Sequence, residues 1–240
     1  MYIGGFQKNS LIDFPGEIAC VVFTPGCNFT CSYSHNPDLA ASPTTLKKET
    51  GTGSSPFTEE EVFAFLKKRK GLIQGVAITG GEPTLQKGLE TFITRVREMG
   101  YKIKLDSNGT RPRILETLFD KGLVDYLAMD IKTDWAHYPM ILKNKADINN
   151  IRSSIGLVME KAPDYEFRTT CARPFITRGI MAQIAKEIQG AARFVLQQCS
   201  RNVNILDPEF LKDDTHFFTH EEMTELRSVI APFVQDIRMR

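Results

Sequence analysis

Apolar runs and amphipathic stretches alternate along this chain of 240 residues, and that alternation limits its fold more than any other feature. Glu17 to Thr24 (EIACVVFT) reads as a buried strand. Thr58 opens a helix with Thr-Glu-Glu-Glu, a side-chain cap followed by acidic residues in the first turn, and the helix is expected to run to about Lys70. Further strands are expected at 73–79, 101–106, 125–131, 164–170 and 193–198, with a short one at 234–239. Helices are expected at 86–99, 111–121, within 137–160, at 177–189 and at 219–231. Strands alternating with helices build a parallel sheet with helices outside. Six core strands are too few for a closed eight-stranded barrel and fit a partial (β/α)6 TIM-like barrel. A doubly wound open sheet is the alternative. In both, ligands gather at the carboxyl ends of the strands.

Composition narrows the class. Apolar residues make up 42%, enough for a substantial core, and the net charge of +1 gives no electrostatic argument for nucleic acid or an anionic membrane. No apolar run approaches the ~20 residues of a membrane span, and the first residues lack the pattern of a signal peptide. A cytoplasmic protein is the expectation. The cysteines at 20, 27, 31, 171 and 199 form an odd set without disulfide spacing, which in a reducing compartment means metal ligands or buried thiols. Residues 41–57, rich in Ser, Thr, Gly and Lys, read as a surface excursion able to close over a site or touch a partner. No repeat or linker divides the chain, so one domain over 1–240 is expected, with a core at about 17–198 and an extension at 199–240.

The chemistry-bearing segment follows the first strand. The loop Pro25-Gly26-Cys27-Asn28-Phe29-Thr30-Cys31-Ser32-Tyr33-Ser34-His35-Asn36-Pro37 holds two cysteines at a C-x-x-x-C spacing, with Ser34 where a third thiol would complete C-x-x-x-C-x-aromatic-C. A cubane iron–sulfur cluster needs soft thiolates at three or four corners. A serine hydroxyl is far harder to deprotonate and is a harder donor. Strand 73–79 runs into Thr79-Gly80-Gly81-Glu82-Pro83, a turn that permits close backbone approach and carries a carboxylate acceptor for an ammonium group. Strand 101–106 ends in Asp106-Ser107-Asn108-Gly109, and strand 125–131 ends in Asp130-Ile131-Lys132. An acid and a base at one barrel mouth suit a zwitterion. Asn108-Gly109 is equally a turn pair, and Asp130 has Lys132 or Arg168 as a structural partner.

With "VVFTPGCNFTC" and "HNPDL" around the loop, these words resemble the radical S-adenosylmethionine (SAM) enzymes, specifically the activating proteins of anaerobic ribonucleotide reductases and pyruvate formate-lyases. The resemblance covers nearly the whole chain to Gln198. It implies a four-iron–four-sulfur (4Fe-4S) cluster on Cys27, Cys31 and position 34, here Ser34. It implies Tyr33 near the adenine, and Gly80, Gly81 and Glu82 at the SAM amino group. Asp106, Ser107, Asn108, Asp130, Lys132 and Arg168 would shape the rest of the SAM site, with a cation beside it. His35 is a hydrogen-bond donor to the residues that hold the cluster, or simply a turn residue. Cys171 and Cys199, just past strand ends, are remote candidates to replace the missing thiol, and Cys20 lies too far below the rim. The implied activity is reductive cleavage of SAM and formation of a glycyl radical on a partner like anaerobic ribonucleotide reductase, with a reducing flavodoxin or ferredoxin as electron donor. A small-molecule radical SAM enzyme and a cluster-deficient, non-catalytic SAM-binding paralogue are the alternatives, the latter supported by Ser34.

Overall fold

The computed structural model describes residues 1–34, 37–40, 56–143 and 147–240. Eight strands form one sheet in sequence order: β1 (Gly5–Ser10), β2 (Ala19–Thr24), β3 (Gly75–Gly80), β4 (Lys102–Ser107), β5 (Tyr126–Asp130), β6 (Tyr165–Cys171), β7 (Arg193–Gln198) and β8 (Asp236–Met239). β1 pairs antiparallel with β2, and every later pair is parallel. The helices are α1 (Pro37–Ala40), α2 (Glu59–Lys68), α3 (Leu89–Glu98), α4 (Pro112–Asp120), α5 (Asp147–Lys161), α6 (Arg178–Glu187) and α7 (His220–Ile230). Doubly wound sheets reverse their strand order at a switch point. Here each strand lies beside its sequence neighbours, so the winding goes one way, as in a partial TIM-like barrel.

Local sequence explains the elements. Thr58 caps α2 with a capping box, accepting from the Glu61 N–H at 3.1 Å while Glu61 accepts from the Thr58 N–H at 2.8 Å. Leu89, Phe92, Ile93 and Val96 of α3 recur at helical spacing and are all buried. Strands covered on both faces read as continuous apolar runs, as β2 (ACVVFT) does. The expected first strand begins two residues late, because Glu17 closes a turn onto the Phe14 carbonyl. β1 was not expected. Its edge position leaves much of it exposed, so it lacks a buried-strand pattern. Among the described residues no helix is long and apolar enough to cross a membrane.

The main core lies between sheet and helices. The other sheet face holds a small apolar cluster of Phe14, Ala19, Tyr126 and Ala128. Side chains two apart share a face, so the same surface carries Asp130 after Ala128, and β6 sets Glu166 opposite Ala128 and Arg168 opposite Asp130. Glu166 is wholly buried. Arg240 clamps it with two bonds of 3.2 Å, and the Tyr126 hydroxyl donates to it at 2.9 Å. The segment after residue 199 therefore contributes β8 and a counter-charge for the sheet.

Arg240→Ala would strip this carboxylate of its cation. Glu166 is buried while the Arg240 side chain is exposed, so losing these charge-assisted bonds is expected to cost about 1.5–3 kcal/mol, much of it recovered in the Glu166→Gln, Arg240→Ala double variant. Denaturant unfolding of the single and double variants reads both.

Candidate active site

A cavity of about 150 Å³ opens at the carboxyl ends of the parallel strands. The loop after β2 brings Cys27, Cys31, Tyr33 and Ser34 to it, and β3 brings Thr79, Gly80, Gly81 and Glu82. β4 adds Asp106, Ser107 and Asn108, β5 adds Asp130 and Lys132, and Thr170 and Leu206 complete the wall. Every residue expected from sequence lines this pocket except Arg168, which stands behind Asp106 and Asp130. His35 and most of the 41–57 excursion (41–55) lie outside the described residues.

The loop is held from three sides. Thr30 donates its N–H to the Ile141 carbonyl at 2.9 Å, and Phe29 bridges Leu142. Leu206 and Asp207 donate theirs to the Ser34 and Ser32 carbonyls at 3.0 and 3.1 Å. The β3 turn packs directly beneath: Gly81 donates to the Thr24 carbonyl at 2.7 Å and Glu82 to the Gly26 carbonyl at 2.8 Å. Gly80 has a φ of +116°, and a Cβ on Gly81 would strike the Gly26 carbonyl. Both glycines are thus required by backbone geometry.

Burial pushes the Cys27 thiol up to about 11. It raises the Cys31 thiol as well, against the pull of the Lys132 ammonium. Both are neutral thiols here, and a bound cation would be needed to hold them as thiolates. Cys20, Cys171 and Cys199 are buried and do not line the pocket, so none supplies a third thiol. Among the described residues no three His, Cys, Asp or Glu side chains form a metal-holding group. The donor set facing the cavity is two thiols and the Ser34 hydroxyl. The Tyr33 hydroxyl is buried next to the Cys31 thiol, its ring packed on Phe175 and Phe210 at 5.3 and 6.2 Å.

Opposite the thiols lies a charge network. Arg168 bonds Asp130 at 2.9 Å and Asp106 at 3.2 Å. Lys104 bonds Asp106, Thr79 donates to Asp106 at 2.9 Å, and Lys132 pairs with Asp130 at 3.1 Å. Burial alone would raise the Asp106 carboxyl, but Arg168 and Lys104 prevail and bring it down to about 2. Asp130 is likewise lowered, with Arg168 and Lys132 outweighing burial, and Lys132 is raised as Asp130 outweighs burial. Three cations against two carboxylates leave this floor net positive. Glu82 sits apart, fully buried, and burial raises its carboxyl despite donors from Thr84, Asn108 and Ser107. The pocket therefore offers an ammonium partner at Glu82 and an anion partner at Lys132, the two needs of an amino-acid zwitterion. Sequence reasoning missed Lys104, Thr79, Asn28, Thr110 and Leu206. Only Lys104 carried a signal, its alternation with Asp106 on β4.

The Radical SAM superfamily model matches residues 21–179. A Methanocaldococcus jannaschii protein, named provisionally as a glycyl-radical enzyme activating enzyme, is 28% identical over 99% of this chain and 95% of its own length. A pyruvate formate-lyase-activating enzyme of Streptococcus mutans is 33% identical over 50% of this chain and 46% of its own. In fold, the chain resembles Streptococcus suis SuiB bound to S-adenosylmethionine, with a TM-score of 0.66 and 12% identity over 92% of this chain and 51% of that one.

Gly81→Ala must displace backbone, and an overpacking cost of about 1–3 kcal/mol is expected together with loss of ligand binding, read by thermal unfolding and calorimetry. Asp106→Asn removes a carboxylate whose folded value lies below its ordinary 3.8. A depressed carboxyl stabilises above its unfolded value and loses that contribution as pH falls through its folded value. Asp106→Asn is therefore expected to unfold more easily by roughly 3 kcal/mol at pH 7. The gap to the unaltered chain should close between about pH 4 and pH 2, as urea titrations across that range would show.

Proposed function

The chain belongs to the radical SAM superfamily, and we propose that it is an activating protein for a glycyl-radical enzyme. Proteins of this superfamily bind a 4Fe-4S cluster and S-adenosylmethionine. The observation that carries the proposal is one pocket at the strand ends that is lined by Cys27, Cys31 and Ser34 together with Glu82, Asp106, Asp130 and Lys132. When bound, the cluster supplies the electron that cleaves SAM to methionine and a 5′-deoxyadenosyl radical, the species that would abstract hydrogen from a glycine Cα of the partner.

The amino-acid end of SAM fits the residues present. Glu82 receives its ammonium and Lys132 its carboxylate, with Arg168 holding Asp106 and Asp130 in place between them. Gly80 and Gly81 let the backbone approach, and Tyr33 lines the same pocket. The cluster fits less well: two thiols are in place and the third corner is a hydroxyl. Alignment with the M. jannaschii protein over almost the whole of both chains supports the activase reading. The partner we favour is an enzyme of the anaerobic ribonucleotide reductase type, with a reducing flavodoxin or ferredoxin as donor.

Ser34 favours one second reading, a SAM-binding paralogue that no longer cleaves its ligand. Anaerobic reconstitution of the chain and of Ser34→Cys, with EPR of the reduced proteins plus SAM and an assay for 5′-deoxyadenosine, separates the two. Ser34→Cys is expected to hold four irons and cleave SAM. Cleavage by the unaltered chain as well would make it an active enzyme with an oxygen ligand. SAM binding without cleavage in both proteins would establish the paralogue and end the activase reading.

A further inference from the structure

Asn28 sits between the two loop cysteines, does not line the pocket, and has the most complete set of side-chain bonds in the loop. Its amide nitrogen donates to Thr110 Oγ1 at 2.9 Å and to Asp147 Oδ2 at 3.1 Å. Its amide oxygen accepts from Asn108 Nδ2 at 2.8 Å. Asn108 is pinned again through its own oxygen, which accepts the Thr110 N–H at 3.1 Å and the Thr110 hydroxyl at 2.7 Å. The backbone N–H of Asn108, fixed by these contacts, donates to Glu82 Oε2 at 2.6 Å.

The two oxygens of Glu82 are not equivalent. Oε1 receives the Thr84 N–H at 3.1 Å, the Thr84 hydroxyl and the Ser107 hydroxyl at 2.9 Å. Among the described residues Oε2 receives only Asn108, which leaves it capacity for a further donor. We propose that Asn28 is a positioning residue: acting through Asn108, it aims the one Glu82 oxygen still able to accept a ligand ammonium. This rests on reading the pocket as a SAM site.

The residue type matters as much as its place. Aspartate at 28 would have no N–H for Thr110 or Asp147 and would set two carboxylates together. Alanine would leave Asn108 Nδ2, almost fully buried, without its partner. Burial makes such a loss costly, and the strut ends at the ammonium-binding oxygen rather than at the part of the pocket that would hold the nucleoside.

That asymmetry gives the test. Binding of SAM and of 5′-methylthioadenosine, which keeps the nucleoside and sulfur but lacks the amino-acid group, is measured by calorimetry under anaerobic conditions. Asn28→Ala is expected to weaken SAM by about 5–10-fold, the worth of one buried hydrogen bond, and to leave methylthioadenosine within about twofold. Thr110→Val, nearly the same shape, should show the same selective loss at about threefold and serves if Asn28→Ala does not fold. Equal weakening of both ligands would make Asn28 a simple anchor of the loop and overturn the proposal, as would no change in either. If the unaltered chain does not distinguish the two ligands, the SAM reading of the pocket falls, and the proposal with it.

Discussion

The pocket depends on one guanidinium. Arg168 projects from β6, bonds Asp130 across the neighbouring strand and reaches Asp106 on the strand beyond. Two carboxylates at one barrel mouth repel each other and resist burial. The planar fork of Arg168 spans both, so β4, β5 and β6 can carry charged residues at one cavity. Lys104 and Lys132 add further positive charge from the flanks. The surplus leaves the floor with a net positive charge. It also explains why Arg168 takes its place behind the pocket wall: its bonding capacity is spent on holding that wall together.

The thiol side follows a different logic. Cys27 and Cys31 are raised by burial and stay protonated without a metal. Their loop is nonetheless fixed in place by contacts that involve no sulfur chemistry, from Ile141, Leu206 and the Asn28 bonds. A preformed loop lowers the ordering cost of loading a cofactor. It also means that a hydroxyl at position 34 is presented in the place where a thiol would stand. The substitution changes the donor and leaves the scaffold.

Much of this was legible in the sequence. Six core strands and their helices declared themselves by periodicity, because parallel strands buried on both faces leave long apolar runs. The partial barrel was expected from the strand count and the family resemblance, and the observed strand order, which no local pattern carries, bears it out against the doubly wound sheet. Site residues at strand ends were found because the fold puts them there. The contacts that hold them were harder to see: Asn28 meets Asn108 and Thr110 some eighty residues away in sequence. Lys104 looked like an ordinary alternating strand residue until its partner was known. β1 was missed because an edge strand need not be apolar.

The loop at 27–34 is closed by backbone bonds from Leu206 and Asp207, near the far end of the chain. Its two sides are therefore made at very different moments of synthesis. The cysteines emerge early, while the segment that latches Ser32 and Ser34 emerges only after β7 is complete. Chains made from the amino terminus fold what they have as it appears. A nascent chain would present Cys27 and Cys31 on a loop open along one edge until residues 206 and 207 arrive.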